Sequence, residues 1–208
     1  MAYERAGNAD LADEPDLARI AGASAILAGG AGLVYSISFV VLKTPTLSAL
    51  MLAAGGILSG IALVGLYRLL LPAGRGLALI ELGLGVVGVV GAAVHGAYDL
   101  ANALHPAQTS TDLPNAVDPR GFLTFGVSGL GVLWLSVLAM RSRRLPAPWA
   151  YLGVALGVLL IVVYLGRLIV LDASSPLILA PAALVGFVLN PIWYVWLGRG
   201  LIARGAAS

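Results

Sequence analysis

Six long apolar segments, separated by short polar ones, dominate the pattern of hydrophobic and polar positions along the chain. They cover residues 20–42, 46–67, 77–101, 121–140, 149–171 and 176–197. Each is long enough to cross the hydrocarbon core of a bilayer as an α-helix, which takes about 20 residues. The pattern therefore predicts an all-α polytopic membrane protein, a six-transmembrane-helix bundle.

The composition agrees with this class. Of the 208 residues, 60% are hydrophobic and only 11% are charged, whereas about a quarter of the residues of a soluble domain are charged. So little charge could not cover a surface in water, which excludes a soluble globular domain. The 12 basic residues are spread over several short connections, so we predict the lipid bilayer, and no nucleic acid, as a partner.

The basic residues also predict the orientation, because lysine and arginine are retained on the cytoplasmic side of a membrane. Nine of the 12 fall on the side that holds both chain ends, and only Lys43, Arg120 and Arg167 lie at or near the other side. The Ala, Gly, Arg and Leu bias is typical of a GC-rich bacterial genome. We therefore predict a bacterial inner (plasma) membrane protein with cytoplasmic N and C termini and an outward-facing loop over about 102–120.

Residues 1–17 form an acidic segment without the basic and apolar regions of a secretory signal, so we expect an exposed cytoplasmic tail that stays attached. Residues 18–200 form the predicted transmembrane domain, and 201–208 a second cytoplasmic tail. Aromatic residues cluster at the inner ends of helices five and six, where we expect an interfacial aromatic belt. They are Trp149, Tyr151, Trp193, Tyr194 and Trp196.

The third segment carries most of the polar groups inside the predicted spans. At 100° per residue, Asp99 projects in the same direction as Glu81, and Gly88, Ala92 and His95 lie within about 40° of that line. The opposite face is apolar and contains Leu82, Val86, Val89, Val90 and Val94. Polar groups in hydrocarbon must find partners inside the bundle. This helix is therefore predicted to lie centrally, with its polar stripe facing protein or a small wet cavity.

Four polar residues are predicted to gather near the outer end of the bundle. Depth counting along the helices places Asp99 and Arg167 at the same level, with His95 one turn below and Asp172 nearby. We expect Asp99 to pair with Arg167, because a buried charge is costly unless it is paired or hydrated. The cluster is interpreted either as a structural ion pair or as an outward-open pocket for a small ligand.

A metal centre is the alternative for the same residues. His95 and Asp99 are spaced as two ligands one turn apart, and His105 could join from the loop, but catalytic zinc usually has three protein ligands. The chain has two histidines and no cysteine, so we predict no metal and no cofactor. Signatures of a phosphate-binding loop or a nucleophile elbow are also missing, and no catalytic residue is predicted.

Two further sites stand apart from this cluster. Glu81, an inner polar candidate, is interpreted as a carboxylate that snorkels to the interface or pairs with Arg75 or Arg68. Asn190 and Pro191 predict a helix kink, because proline lacks a backbone donor and the asparagine can satisfy a freed carbonyl.

The run Ala31-Gly32-Leu33-Val34-Tyr35 and the ending over residues 190–198, Asn-Pro-Ile-Trp-Tyr-Val-Trp-Leu-Gly, resemble small bacterial integral-membrane proteins. These proteins have six or seven helices and are grouped as domains of unknown function. The resemblance implies a membrane bundle and supplies no activity.

Two classes of function follow from the sequence. The first is binding or transport of a small ligand through the outward-facing pocket of His95, Asp99 and Arg167. The second is a non-catalytic accessory subunit, with a second copy or another membrane protein docked on the small-residue faces Gly56-x-x-x-Gly60 and Gly153-x-x-x-Gly157.

Overall fold

The computed structural model describes residues 11, 14–106, 119–170 and 175–206. These residues contain six helices that are long and apolar enough to cross a membrane, which confirms the predicted fold class. In chain order they are α1 (Pro15–Leu42), α2 (Pro45–Ala73), α3 (Arg75–Leu104), α4 (Phe122–Ser142), α5 (Ala147–Val170) and α6 (Pro176–Ala206).

Several helices extend beyond the predicted spans. Proline is well accommodated in the first turn of a helix, and α1, α2 and α6 each begin at one. α6 also continues to Ala206, where a tail was predicted from residue 201, because the fully buried Leu201 holds this part of the helix in the core. Leu11 is likewise fully buried, so the segment predicted as an exposed acidic tail has at least one side chain in the protein interior.

The helices form a ring in which each packs against the next in sequence and α6 packs back against α1. Glycines lie at these contacts, where a missing side chain lets two backbones approach closely. A Cβ at Gly129 of α4 would lie 2.8 Å from the carbonyl oxygen of Gly157 in α5, and the reverse substitution gives the same distance. A Cβ at Gly56 of α2 would lie 2.7 Å from the backbone nitrogen of Ala93 in α3.

The two ends of the ring differ in charge. The end where α1, α3 and α5 begin is called the arginine-rich end, and the opposite end is called the loop end because the predicted long loop of 102–120 connects α3 and α4 there. At the arginine-rich end Arg68 contacts Glu14, and the Arg204 guanidinium donates to the backbone carbonyl of Arg144. The first contact joins the end of α2 to the residue that precedes α1, and the second joins the connection between α4 and α5 to α6.

Two of the aromatic residues predicted for an interfacial belt belong to the core instead. Trp149 and Trp193 are buried and stack with their ring centroids 4.7 Å apart, and the Trp149 Nε1–H donates to the Trp193 carbonyl oxygen at 3.1 Å. This pair joins α5 to α6. Tyr151 and Trp196, in contrast, are exposed on the outer surface of the ring.

Candidate functional site

A cavity of about 370 Å³ lies between the helices, from the middle of the bundle toward the loop end, and is called the main cavity. All six helices contribute to its wall, which is mostly apolar. Its polar side chains are Tyr35, Ser36, Ser59, Thr124, Ser128, Arg167, Asn190 and Tyr194. The volume falls within the range of about 300–1,000 Å³ that is typical of small-molecule sites.

Three helices leave regular α-helical geometry where they line the main cavity. The π-helical segments are Ile37–Leu42 in α1, Phe122–Val127 in α4 and Val185–Leu189 in α6. Phe39 and Thr124 are among the side chains that these segments contribute to the wall. A π-turn accommodates an extra residue and is frequent at functional sites, so the three segments mark this cavity as the candidate site.

Serine hydroxyls donate hydrogen bonds to backbone carbonyls of α1 at the point where its α-helical hydrogen bonds give way to π-helical ones. The Ser36 hydroxyl donates to the carbonyl of Gly32 at 3.0 Å, and the Ser38 hydroxyl donates to that of Val34 at 2.6 Å. Inside an apolar bundle an unsatisfied carbonyl costs several kcal/mol. The serines at the end of α1 therefore stabilise its π-helical segment.

In α6 the π-helical segment Val185–Leu189 lies between Pro181 and Pro191. Both prolines lack the N–H that a regular helix needs. Asn190, between this segment and Pro191, lies against Gly32 of α1 and lines the main cavity. The structure thus places a π-helical segment directly before Asn190 and Pro191, where a kink was predicted. The kink itself stays a prediction.

His95 lies directly behind the wall of the main cavity. It is only 3% exposed, and its Nδ1 shares a hydrogen bond of 3.1 Å with the hydroxyl of Thr124, which does line the cavity. The His95 Nε2 lies 3.5 Å from the Asp99 Oδ2, and Phe125 packs edge-to-face against the imidazole. His95 is therefore connected to the cavity through Thr124 and Phe125, which both line it.

Arg167 lines the main cavity, whereas Asp99 does not. The Tyr35 hydroxyl is within electrostatic reach of both residues. However, the ion pairs of the described residues join Asp99 to His95 and none joins it to Arg167. The carboxylate and the imidazole stand one turn apart on α3, which makes His95 the nearer partner. Asp172 lies outside the described residues.

The guanidinium of Arg167 is incompletely satisfied. Its Nε is buried and finds no hydrogen-bond acceptor in the part of the chain that the structure describes. A donor of this kind in an apolar cavity favours an anionic or strongly polar ligand group, because an unpaired buried polar group is costly.

A smaller cavity of about 40 Å³ lies next to the main cavity on the side of the arginine-rich end and is called the inner cavity. Both cavities share wall residues, namely Ser59, Val89, Ser128, Val132 and Tyr194. Its volume accommodates about one to three water molecules. Glu81 lines only this smaller space.

Glu81 is 1% exposed, and its Oε2 has no hydrogen-bond partner among the described residues. The prediction that it snorkels or pairs with Arg75 or Arg68 is therefore wrong, since Arg68 contacts Glu14 instead. The reason is depth: Glu81 is six residues, or about 9 Å, into α3 and its stripe faces the bundle.

The predicted polar stripe of α3 agrees with the structure in part, since the Asp99 side chain is 39% exposed and Val89, assigned to the opposite face, lines both cavities. Glu81, Gly88 and His95 are buried, whereas Val86 and Val94 on the other face are exposed. Other parts of the site were not predicted, in particular Tyr35, Thr124 and the burial of Trp193, because they depend on how other helices are placed against α3.

No protein-family model, no curated protein and no solved structure matches this chain. The resemblance to small bacterial membrane proteins therefore stays a prediction. Among the described residues there is no group of three or more histidine, cysteine, aspartate or glutamate side chains that could hold a metal ion.

Proposed function

We propose that this chain is a multi-pass protein of the bacterial plasma membrane that binds a small amphiphilic ligand in the main cavity, for transport or for sensing its presence. The observation that carries the proposal is the cavity of about 370 Å³, which has a mostly apolar wall and the partly unsatisfied guanidinium of Arg167. An apolar pocket with a few polar groups is the usual design of a small-molecule site.

The lipid-facing part of the wall of the main cavity supports entry of the ligand from the bilayer. Phe39 of α1 is 51% exposed and Leu179 of α6 is 45% exposed, although both also line the main cavity. The packing of α6 against α1 comes from its part beyond Leu184, whereas Pro176–Leu184 packs against α5. The ligand in this proposal enters between α1 and α6 from the surrounding hydrocarbon.

The ligand class follows from the chemistry of the wall. An apolar body matches the hydrocarbon side chains, and an anionic group matches Arg167, which presents planar donors suited to a carboxylate or phosphate. We therefore propose a single-chain amphiphile with an anionic head. The cytoplasmic position of both termini is part of the proposal and rests on the distribution of basic residues.

The accessory-subunit alternative is less well supported by the packing. The four glycines of the two predicted docking faces all contact neighbours within the chain. Gly56 and Gly60 lie against α3. Gly153 lies against Ser136 and Trp193, and Gly157 lies against α4. These faces are thus occupied inside the bundle, and no other described feature favours a docking role.

The proposal is tested by titrating the purified full chain with dansyl-labelled undecanoate and recording the fluorescence of the probe. Arg167→Gln should weaken binding about 10–100-fold, which corresponds to the loss of one hydrogen bond to a charged group. The matched control is Arg199→Gln, which removes an exposed arginine of α6 at the opposite end and should leave the dissociation constant unchanged.

A second pair of variants tests the place of binding. Ala182→Phe introduces a bulky side chain into the wall of the main cavity and should abolish binding, whereas Ala180→Phe changes an exposed position of the same helix that does not line the cavity. Equal affinity in Arg167→Gln, Ala182→Phe and the wild-type protein would contradict the proposal.

A further inference from the structure

Glu81 is an unusual residue that the proposed ligand site does not use. It is 1% exposed, and no ion pair within 4 Å involves it among the described residues. Its Oε2 lacks a hydrogen-bond partner in the same part of the chain. A carboxylate in this condition is strongly disfavoured unless a positive charge or a proton accompanies it.

Three hydroxyl groups also belong to the mostly apolar wall of the space beside Glu81. Ser59 of α2, Ser128 of α4 and Tyr194 of α6 line the inner cavity together with the carboxyl group. Hard cations prefer oxygen ligands of this kind. The volume of about 40 Å³ suits a single small ion or a few water molecules and is too small for an organic ligand.

Trp193 lines the inner cavity with its buried ring. Its Nε1–H, which finds no acceptor among the described residues, lies on the side of Gly153 and Ser136, two residues outside the wall of this cavity. The unpartnered polar side chain that belongs to the inner cavity is therefore Glu81. Because buried polar groups are normally satisfied, a group that interacts with this carboxyl, directly or through water, fits the space beside it.

Among the described residues, Glu81 is the one carboxyl group in the wall of the inner cavity. Tyr194 is the other titratable residue, and no lysine, arginine or histidine of the described ranges belongs to the wall. Arg68 contacts Glu14. The site therefore has the charge of one carboxyl group, which matches a monovalent cation better than a divalent one.

We propose that the inner cavity is a binding site for a small monovalent cation, either Na⁺ or a hydrated proton, with Glu81 as the anionic ligand and the hydroxyls of Ser59, Ser128 and Tyr194 around it. The wall shared with the main cavity places this cation next to the proposed ligand. The inference does not depend on the identity of that ligand, because it rests on Glu81 and the hydroxyl groups that line the inner cavity.

The experiment measures the thermal unfolding midpoint of the purified full chain in lipid nanodiscs, with the tryptophan fluorescence as the signal. NaCl is exchanged for choline chloride at constant ionic strength, and each series is repeated between pH 5 and pH 9. At a Na⁺ concentration of 100 times the dissociation constant, a sodium site should raise the midpoint by about 5–10 °C. A proton site should instead give a pH-dependent midpoint that does not respond to Na⁺.

Glu81→Gln keeps the size of the side chain and removes its charge, so it should abolish whichever response the wild-type protein shows. Asp16→Asn is the matched control, since it neutralises a carboxylate that is exposed at the surface and should retain the response. Ser59→Ala removes one hydroxyl ligand and should weaken the cation affinity several-fold without changing the charge, which keeps the test informative if Glu81→Gln fails to fold.

The Na⁺ series and the pH series together identify which cation binds. A Na⁺ response that Glu81→Gln lacks identifies sodium, and a pH response that Glu81→Gln lacks identifies the proton. If the wild-type protein shows neither response, or if Glu81→Gln retains the wild-type response, the proposal is overturned. The binding of dansyl-labelled undecanoate is measured in a separate titration, so a failure here is distinguishable from a failure of the proposed function.

Discussion

At the scale of single residues, the hydrogen bond between His95 and Thr124 connects the polar stripe of α3 to the wall of the main cavity. Thr124→Val keeps the shape of the side chain and leaves the His95 Nδ1 without this partner at a position that is 3% exposed. We expect a loss of about 1 kcal/mol in the free energy of unfolding, the scale of interhelical hydrogen bonds in membrane proteins. The measurement is reversible unfolding in mixed micelles.

Thr46→Val is the control for this variant, because Thr46 is exposed at the start of α2. It should change the free energy of unfolding by less than about 0.5 kcal/mol, as surface substitutions usually do. Equal stability of the two variants would show that the His95–Thr124 hydrogen bond contributes nothing to the bundle.

The residues of the site differ in how far the sequence could predict them. The sequence placed Glu81 and His95 on one stripe of a single helix, where the angular position follows from the residue number, but it wrongly predicted that Glu81 snorkels or pairs with an arginine. Thr124 and Tyr35 belong to other helices, and their place opposite α3 depends on the register between helices. For the same reason the sequence placed Asp99 opposite Arg167 but missed that His95, on its own helix, is the nearer partner.

At the scale of helices, the π-helical segments explain why the sequence pattern does not predict which face of a helix a residue occupies beyond such a segment. An extra residue in a turn rotates everything that follows by about 100° relative to a regular helix. Angular counting through Ile37–Leu42 or Val185–Leu189 therefore assigns the wrong face. The six helices themselves were predictable, because their length and hydropathy do not depend on this rotation.

The contact between α1 and α6 depends on close approach of their backbones at the arginine-rich end. A Cβ at Gly22 would lie 2.7 Å from the carbonyl oxygen of Gly198 and 2.6 Å from the Ile202 side chain. Gly22→Ala should therefore push the helices apart and destabilise the protein by about 1–3 kcal/mol, the cost of overpacking a close contact. Thermal unfolding in nanodiscs measures the effect.

Gly30 of the same helix provides the matched control, since a Cβ there would meet no atom within 4 Å. Gly30→Ala should be neutral or stabilise the protein by about 0.5–1 kcal/mol, because alanine loses less backbone entropy than glycine in a helix. If the two variants have the same unfolding midpoint, the α1–α6 contact is not the close one that the structure shows.

At the scale of the whole molecule, the two cavities divide the bundle along its axis. The main cavity occupies the half toward the loop end, and the inner cavity with Glu81 lies toward the arginine-rich end. They share five wall residues, including Ser59 and Tyr194. A cation beside Glu81 and a ligand beside Arg167 would thus influence the same side chains, which is the arrangement that coupled binding requires.

The direction of any such coupling depends on which end of the ring faces the cytoplasm. The excess of arginine at one end predicts that this end is inside, so that the main cavity belongs to the outer half of the bilayer. The chain contains no cysteine, and single cysteines can therefore report the orientation without a background. Thr46 at the loop end and Ala147 at the arginine-rich end are both exposed.

In intact cells, a membrane-impermeant maleimide should label Thr46→Cys but not Ala147→Cys, and permeabilisation should expose both to the reagent. The reverse pattern would place the arginine-rich end outside and would contradict the outward-facing cavity. With the predicted orientation, the main cavity lies in the outer half of the bilayer and Glu81 lies between this cavity and the arginine-rich end.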